Sequence, residues 1–230
     1  MGQWVAIRQE EQNVFSGYLA VPPKGYGPGL LLLQEIWGVN PHIRSLADQY
    51  AADGYVVLAP DVFWRQQNRV ALEYSQVGTE QAYRHYGALD FAQTAQDLAS
   101  AIEHLSAYPI VQGGIGAMGF CLGGRLAFLL GADPRLSAVV SYYGSGLGNH
   151  LDLIPDLKCP LLFHFAGEDH LIPLSEVDAL MPKIQASVEA SNHIYDGQKH
   201  GFNCPERASY SQRSAALAKA RTLEFLSRHL

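Results

Sequence analysis

The sequence predicts an α/β fold with a mostly parallel central sheet and helices on both faces, in a single domain over residues 1–230. Three observations predict it. Short continuous apolar runs recur along the chain, as expected of strands covered on both faces. These runs alternate with stretches of helical length, the pattern that builds parallel sheets by crossover. A chain of 230 residues with 48% apolar and 17% charged residues can bury one sizeable core, and no repeat, low-complexity tract or linker divides it.

Taken in order, residues 4–8 and 14–21 read as an edge hairpin ended by Pro22-Pro23. The turn-rich stretch 24–29 leads into Leu30-Leu31-Leu32-Leu33-Gln34, a buried strand. Asn40 as cap and Pro41 at the first helical position start a helix that runs to about Ala52, and Gly54 ends it. Residues 55–60 form the next strand, and the polar stretch 66–79 carries no clear period. A long helix is expected from about 87 to 108, with Leu89, Leu98, Ile102 and Leu105 apolar. It leads to a strand at 114–118, a tight turn and a helix beginning near Arg125. The remainder reads as a strand at 136–144, a loop at 145–158, a strand at 160–166 and a helix from 173 to about 190. A short strand at 193–195 and a final helix from 206 to 230 follow.

The net charge of −6 argues against a general nucleic-acid or anionic-membrane surface. A small molecule is the better default partner. Purely apolar runs such as Leu30 to Leu33 are far too short to span a bilayer. Cys121, Cys159 and Cys204 are well separated and in no metal-like spacing, so reduced thiols are expected, with neither metal nor cofactor. The start Met1-Gly2-Gln3-Trp4-Val5-Ala6 lacks a charged region followed by an apolar one. The expectation is a cytoplasmic protein, monomeric or weakly homo-oligomeric.

The strand, turn and helix around Gly119-Phe120-Cys121-Leu122-Gly123-Gly124 form the context of a nucleophile elbow. There the nucleophile sits on a strained turn, and small residues two positions either side let the backbone make it. The middle residue here is cysteine. At a helix start the helix dipole favours thiolate, the form that attacks carbonyl carbon. The other role open to Cys121 is that of a small buried hydrophobe. The spacing Gly114-x-Gly116-x-x-Gly119 matches a dinucleotide fingerprint in letters only, since its glycines fall inside a strand.

A cysteine nucleophile needs a base, and the base an orienting acid. Asp169 and His200 each follow a predicted strand and complete the order nucleophile, acid, histidine. Glu168 competes locally for the acid role, Asp169 and Glu35 could instead cap helices, and His200 is one of nine histidines. Glu35 stands just after a buried strand, where open α/β sheets place their ligand sites.

Together these segments resemble the dienelactone hydrolase family of α/β-hydrolases, nearly end to end. The resemblance rests on Gln34-Glu35-Ile36-Trp37-Gly38-Val39-Asn40, the Gly119 to Gly124 segment, Tyr142-Tyr143-Gly144, Gly167-Glu168-Asp169-His170 and His200-Gly201-Phe202. It implies an α/β-hydrolase fold and hydrolysis of an enol-lactone or small ester. It also implies Cys121 as nucleophile, His200 as base and acid, Asp169 as orienter and Glu35 as modulator of the thiol's charge. The oxyanion hole would be the backbone N–H groups of Ile36 and Leu122. Trp37, Tyr83, Tyr143 and Phe202 are candidate substrate contacts, and Phe63, Trp64 and Tyr142 are further aromatic candidates for the pocket wall.

Family members that open dienelactone hold its carboxylate with two arginines. At those positions this chain has Thr79, just before Gln81-Ala82-Tyr83, and Cys204, with Arg84 and Arg207 displaced. Neither residue replaces a bidentate guanidinium fork, so a less acidic substrate is expected. An inactive small-ligand-binding or redox-sensing protein on the same fold is the alternative function.

Overall fold

The computed structural model describes residues 2–10 and 13–230. Met1, part of the start read for a leader, lies outside the described residues. The chain comprises two compact units, residues 1–115 and 116–230.

In the first unit, β1 (Gln3–Glu10) and β2 (Asn13–Ala20) pair antiparallel as the expected hairpin. Strand β3 is Gly27–Leu33, α1 is Pro41–Ala52 and β4 is Val56–Pro60. β2 pairs antiparallel with β4, and β3 pairs parallel with β4, giving the order β1-β2-β4-β3. The Asn40 side chain accepts from the Ile43 N–H at 3.2 Å, with Pro41 at the first turn, so α1 starts where its cap chemistry dictates. The polar stretch without a period contains helix α2, Gln76–Gly87, capped by Ser75. Only Gly78 and Ala82 of α2 are buried, so it has no apolar stripe to reveal it. The expected single helix from 87 to 108 is α3, Phe91–Ser106, separated from α2 because Asp90 caps it by accepting from the Gln93 N–H at 3.0 Å.

The second unit contains β5 (Val111–Phe120, which begins in the first), α4 (Leu122–Leu129), β6 (Ala138–Tyr142) and β7 (Leu161–Ala166). It ends with α5 (Leu174–Gln185), β8 (Ala190–Tyr195) and α6 (Gln212–His229). Its strands run parallel in the order β5-β6-β7-β8, with Tyr142 opposite Phe120 and His164, and Ala166 opposite Tyr195. Neighbouring residues of β6 identify what covers each face, because successive side chains point to opposite sides. Ser141 bonds the Gly124 carbonyl of α4, and Tyr142 bonds Thr222 of α6. Helices thus cover both faces here. The expected loop at 145–158 includes a 3-10 segment, Leu147–Asp156, kinked at His150. The final helix starts at Gln212, capped by Ser211, later than predicted. Gly114, Gly116 and Gly119 all lie inside β5, which rules out a phosphate-binding turn at that spacing.

Candidate active site

Cys121 follows β5 and caps α4 with φ 54° and ψ −114°, a backbone conformation that residues with a Cβ rarely adopt. Its N–H donates to the Tyr142 carbonyl at 3.0 Å, and its own carbonyl accepts from Arg125 at 3.2 Å. The turn is so tight that a Cβ on Gly119 would lie 2.1 Å from the Gly123 carbonyl oxygen, which explains the glycine. The thiol makes no capping hydrogen bond and remains available for chemistry. Leu122 is the first residue of α4, so its N–H has no partner within the helix and suits a developing oxyanion.

His200 and Asp169 are both buried and lie together. The imidazole Nδ1 donates to Asp169 Oδ2 at 2.8 Å, while Asp169 Oδ1 accepts from the Leu171 N–H at 2.9 Å. Burial pulls the His200 pKa down, but interactions with Cys121 and the Asp169 carboxylate outweigh it and push the imidazole up to about 10. Among the described residues, His200 Nε2 makes no hydrogen bond of ordinary geometry. The thiol acts on the ring chiefly through its charge. Tyr143, itself at φ 39°, sets its ring edge-on to His200 at 5.0 Å and to Phe202 at 5.4 Å. Tyr143 and Phe202 are completely buried. The Glu168 N–H donates to the Gln198 carbonyl, and no bond from its side chain to His200 occurs among the described residues.

In the first unit, Glu35 follows β3, is 1% exposed, and accepts from the Tyr74 hydroxyl at 2.8 Å. The Tyr74 ring in turn lies tilted against Trp37, centroids 4.7 Å apart at 47°. The sequence carries no sign of Tyr74, which sits in the stretch without a period, 39 residues from its partner. Trp37 Nε1 donates to the Thr79 hydroxyl at 3.3 Å, and that hydroxyl donates to the Ser75 carbonyl at 2.7 Å. Ile36 is buried. Phe63 and Trp64 are buried too, Phe63 stacked on His85 and Trp64 on Phe15. Tyr83 on α2 is 58% exposed and Arg84 is exposed.

In the second unit, Cys204 is buried, and its N–H donates to the Gly201 carbonyl. Arg207 lies so close to Gly201 that a Cβ there would sit 2.0 Å from its Nη1. That contact is with the far end of a flexible side chain, which can move aside, so it is the φ of 83° at Gly201 that favours glycine next to His200.

Residues 15–230 match the dienelactone hydrolase family. The chain is 33% identical over 224 residues to a carboxymethylenebutenolidase of Pseudomonas putida, covering 97% of this chain and 95% of that protein. It is 30% identical over 224 residues to carboxymethylenebutenolidase 1 of Cupriavidus pinatubonensis, again covering 97% and 95%. Its structure is similar to that of a candidate dienelactone hydrolase from Klebsiella pneumoniae, with a TM-score of 0.87, 28% identity, and coverage of 99% of this chain and 98% of that one. Helices on both faces of a parallel sheet, a cysteine on a strained strand-to-helix turn and matches along almost the whole length lead to one conclusion: the chain belongs to the dienelactone hydrolase family and has the α/β-hydrolase fold.

Proposed function

We propose that the protein hydrolyses a small ester or enol-lactone through a covalent acyl-thiol on Cys121. The observation that carries the reading is a buried imidazole bonded to Asp169 at 2.8 Å, with Cys121 and Asp169 together raising its pKa. A thiolate–imidazolium pair has its nucleophile already deprotonated and its acid already loaded.

In acylation the thiolate sulfur attacks the carbonyl carbon, forming a C–S bond and moving the π electrons onto oxygen. The Leu122 N–H receives that oxyanion, and the resemblance supplies the Ile36 N–H as second donor; such donors are worth roughly 3 to 4 kcal/mol each. As the tetrahedral species collapses, the C–O bond breaks and the proton on His200 Nε2 passes to the departing oxygen. The sulfur is now neutral, so the charge that most raised His200 is gone and burial again pulls the imidazole down. It therefore serves as base, taking a proton from water as the water oxygen attacks the thioester. Breaking the C–S bond restores thiolate and imidazolium.

Glu35, held by Tyr74, modulates the charge at the thiol in this reading, as the resemblance implies. Trp37 and Tyr83 contact the substrate, and Tyr143 and Phe202 act on it by way of His200. A neutral lactone or ester is preferred to a carboxylated one. Supporting this, Thr79 spends its hydroxyl on Trp37 and Ser75, and Cys204 is completely buried. The three cysteines are not in disulfides, consistent with a reduced cytoplasmic enzyme; the same reading takes it as monomeric or weakly associated.

The test compares the protein with Cys121→Ala on p-nitrophenyl acetate and on matched neutral and carboxylated lactones, with mass spectrometry of the trapped thiol. Turnover and acylation only in the wild type are expected, with the neutral lactone favoured. Equal activity in both proteins would remove Cys121 from the mechanism, and two inert proteins would favour ligand binding or redox sensing. A strong preference for the carboxylated lactone would reject the specificity, and Arg207→Gln would then show whether Arg207 supplies the fork.

A further inference from the structure

Behind the triad residues of the second unit lies a buried polar seam that the proposed mechanism does not use. His164, on β7, is completely buried. Its Nδ1 lies 2.9 Å from the Tyr195 hydroxyl and its Nε2 3.0 Å from Thr222 Oγ1, which is 2.6 Å from the Tyr142 hydroxyl. The groups facing His164 from the surrounding elements are Tyr142 of β6, His193 and Tyr195 of β8, and Thr222 and Arg221 of α6. Burial first, then His193 and Arg221, hold its pKa well below the ordinary histidine value, so the ring is neutral. A neutral imidazole has one N–H and one acceptor nitrogen, and Tyr195 and Thr222 satisfy both.

The seam ties together three strand ends. Tyr143, Asp169 and His200 follow β6, β7 and β8 respectively. From Tyr195 the contacts continue to His200 itself. The Tyr195 ring lies 4.8 Å from Phe202, Phe202 5.4 Å from Tyr143, and Tyr143 5.0 Å from His200. Apolar side chains of similar volume would hold three strands together about as well, because replacing both partners of a buried hydrogen bond can be nearly neutral. Hydrogen bonds add direction and distance, and a fully satisfied network specifies one arrangement.

We propose that His164, Thr222 and the Tyr195 hydroxyl are positioning residues for His200, keeping its ring bonded to Asp169 and directed at the Cys121 thiol. The proposal rests on the triad reading. Loosening the seam lets His200 drift from both partners, which costs rate and weakens the charges that keep it protonated. The groups facing His200 are Asp169, Cys121, Tyr143 and His170.

The experiment uses Thr222→Val and Tyr195→Phe, which remove one hydroxyl each, and Thr222→Ser, which restores it. Three quantities are read on folded protein: kcat and KM on p-nitrophenyl acetate, and the His200 titration midpoint by 15N NMR. The expected result for Thr222→Val and Tyr195→Phe is a kcat about tenfold lower, KM within about twofold, and a midpoint about one pH unit lower. Thr222→Ser should return both kcat and midpoint to the wild-type values. An unchanged midpoint, or a loss of kcat that Thr222→Ser does not restore, overturns the proposal. Failure of both hydroxyl-deleting variants to fold also overturns it, since the seam would then serve the fold alone. The midpoint is read in resting protein and needs no turnover, whereas full activity in Cys121→Ala would sink the triad reading separately.

Discussion

Removing the Cys121 sulfur should make His200 a weaker base. In the intact site the imidazole is pushed up from 6.5 to about 10, on the order of 5 kcal/mol of preference for the charged ring. Burial opposes that preference, and the Cys121 thiolate is the foremost group supplying it, with the Asp169 bond next. A nearby opposite charge accounts for about 1 to 3 pH units, so Cys121→Ala should titrate between about 7 and 9. The sign follows from linkage: a raised pKa means the folded protein keeps the proton, and that contribution to stability is complete below about 6.5 and lost as pH rises through about 10. In the variant the loss moves to lower pH. Protein labelled with 15N-histidine, titrated by NMR from about pH 5 to about pH 11, reads the ring directly. A midpoint still near 10 in Cys121→Ala would refute the thiolate as the cause and with it the ion pair on which the proposed acylation step depends.

Asp169→Asn should keep the fold but lower kcat by about 10²- to 10⁴-fold, because the amide no longer fixes the imidazole tautomer; steady-state kinetics beside circular dichroism would check both halves. Gly119→Ala should destabilise the protein by about 2 kcal/mol or more, since its Cβ would be driven to 2.1 Å from the Gly123 carbonyl. Urea unfolding measures this, and a variant as stable as the wild type would show that the turn can relax. Burial pushes the Cys159 thiol up to about 11, so iodoacetamide at neutral pH should label Cys121 and spare Cys159. Peptide mapping would expose the reverse.

Local chemistry was readable from the sequence, and distant partnership was not. The elbow shows because steric room two residues from Cys121 is a local need that glycine alone meets at Gly119. The start of α1 shows because Asn40 and Pro41 carry its cap within themselves. Helix α2 is hidden because it buries only Gly78 and Ala82, leaving no periodic signal, and the break before α3 depends on one capping side chain, Asp90. The start of the last helix is misplaced because turn bonds, from Cys204 to Gly201, Arg207 to Cys204 and Ser211 to Phe202, occupy the stretch before it. Tyr74 meets Glu35 and His164 meets Thr222 only through tertiary structure, at separations of 39 and 58 residues. A histidine within a run such as Leu162-Phe163-His164-Phe165 reads as one more strand residue.

The φ of 54° at Cys121 belongs to a region that glycine occupies without penalty and other residues enter at a cost of about 1 to 3 kcal/mol. Selection for durability alone would therefore drift toward glycine at this position and silence the thiol. A side chain that persists there against the preference of its own backbone marks a compromise between lasting and reacting. Laboratory evolution scored only on heat resistance would be expected to erode that compromise first at residue 121.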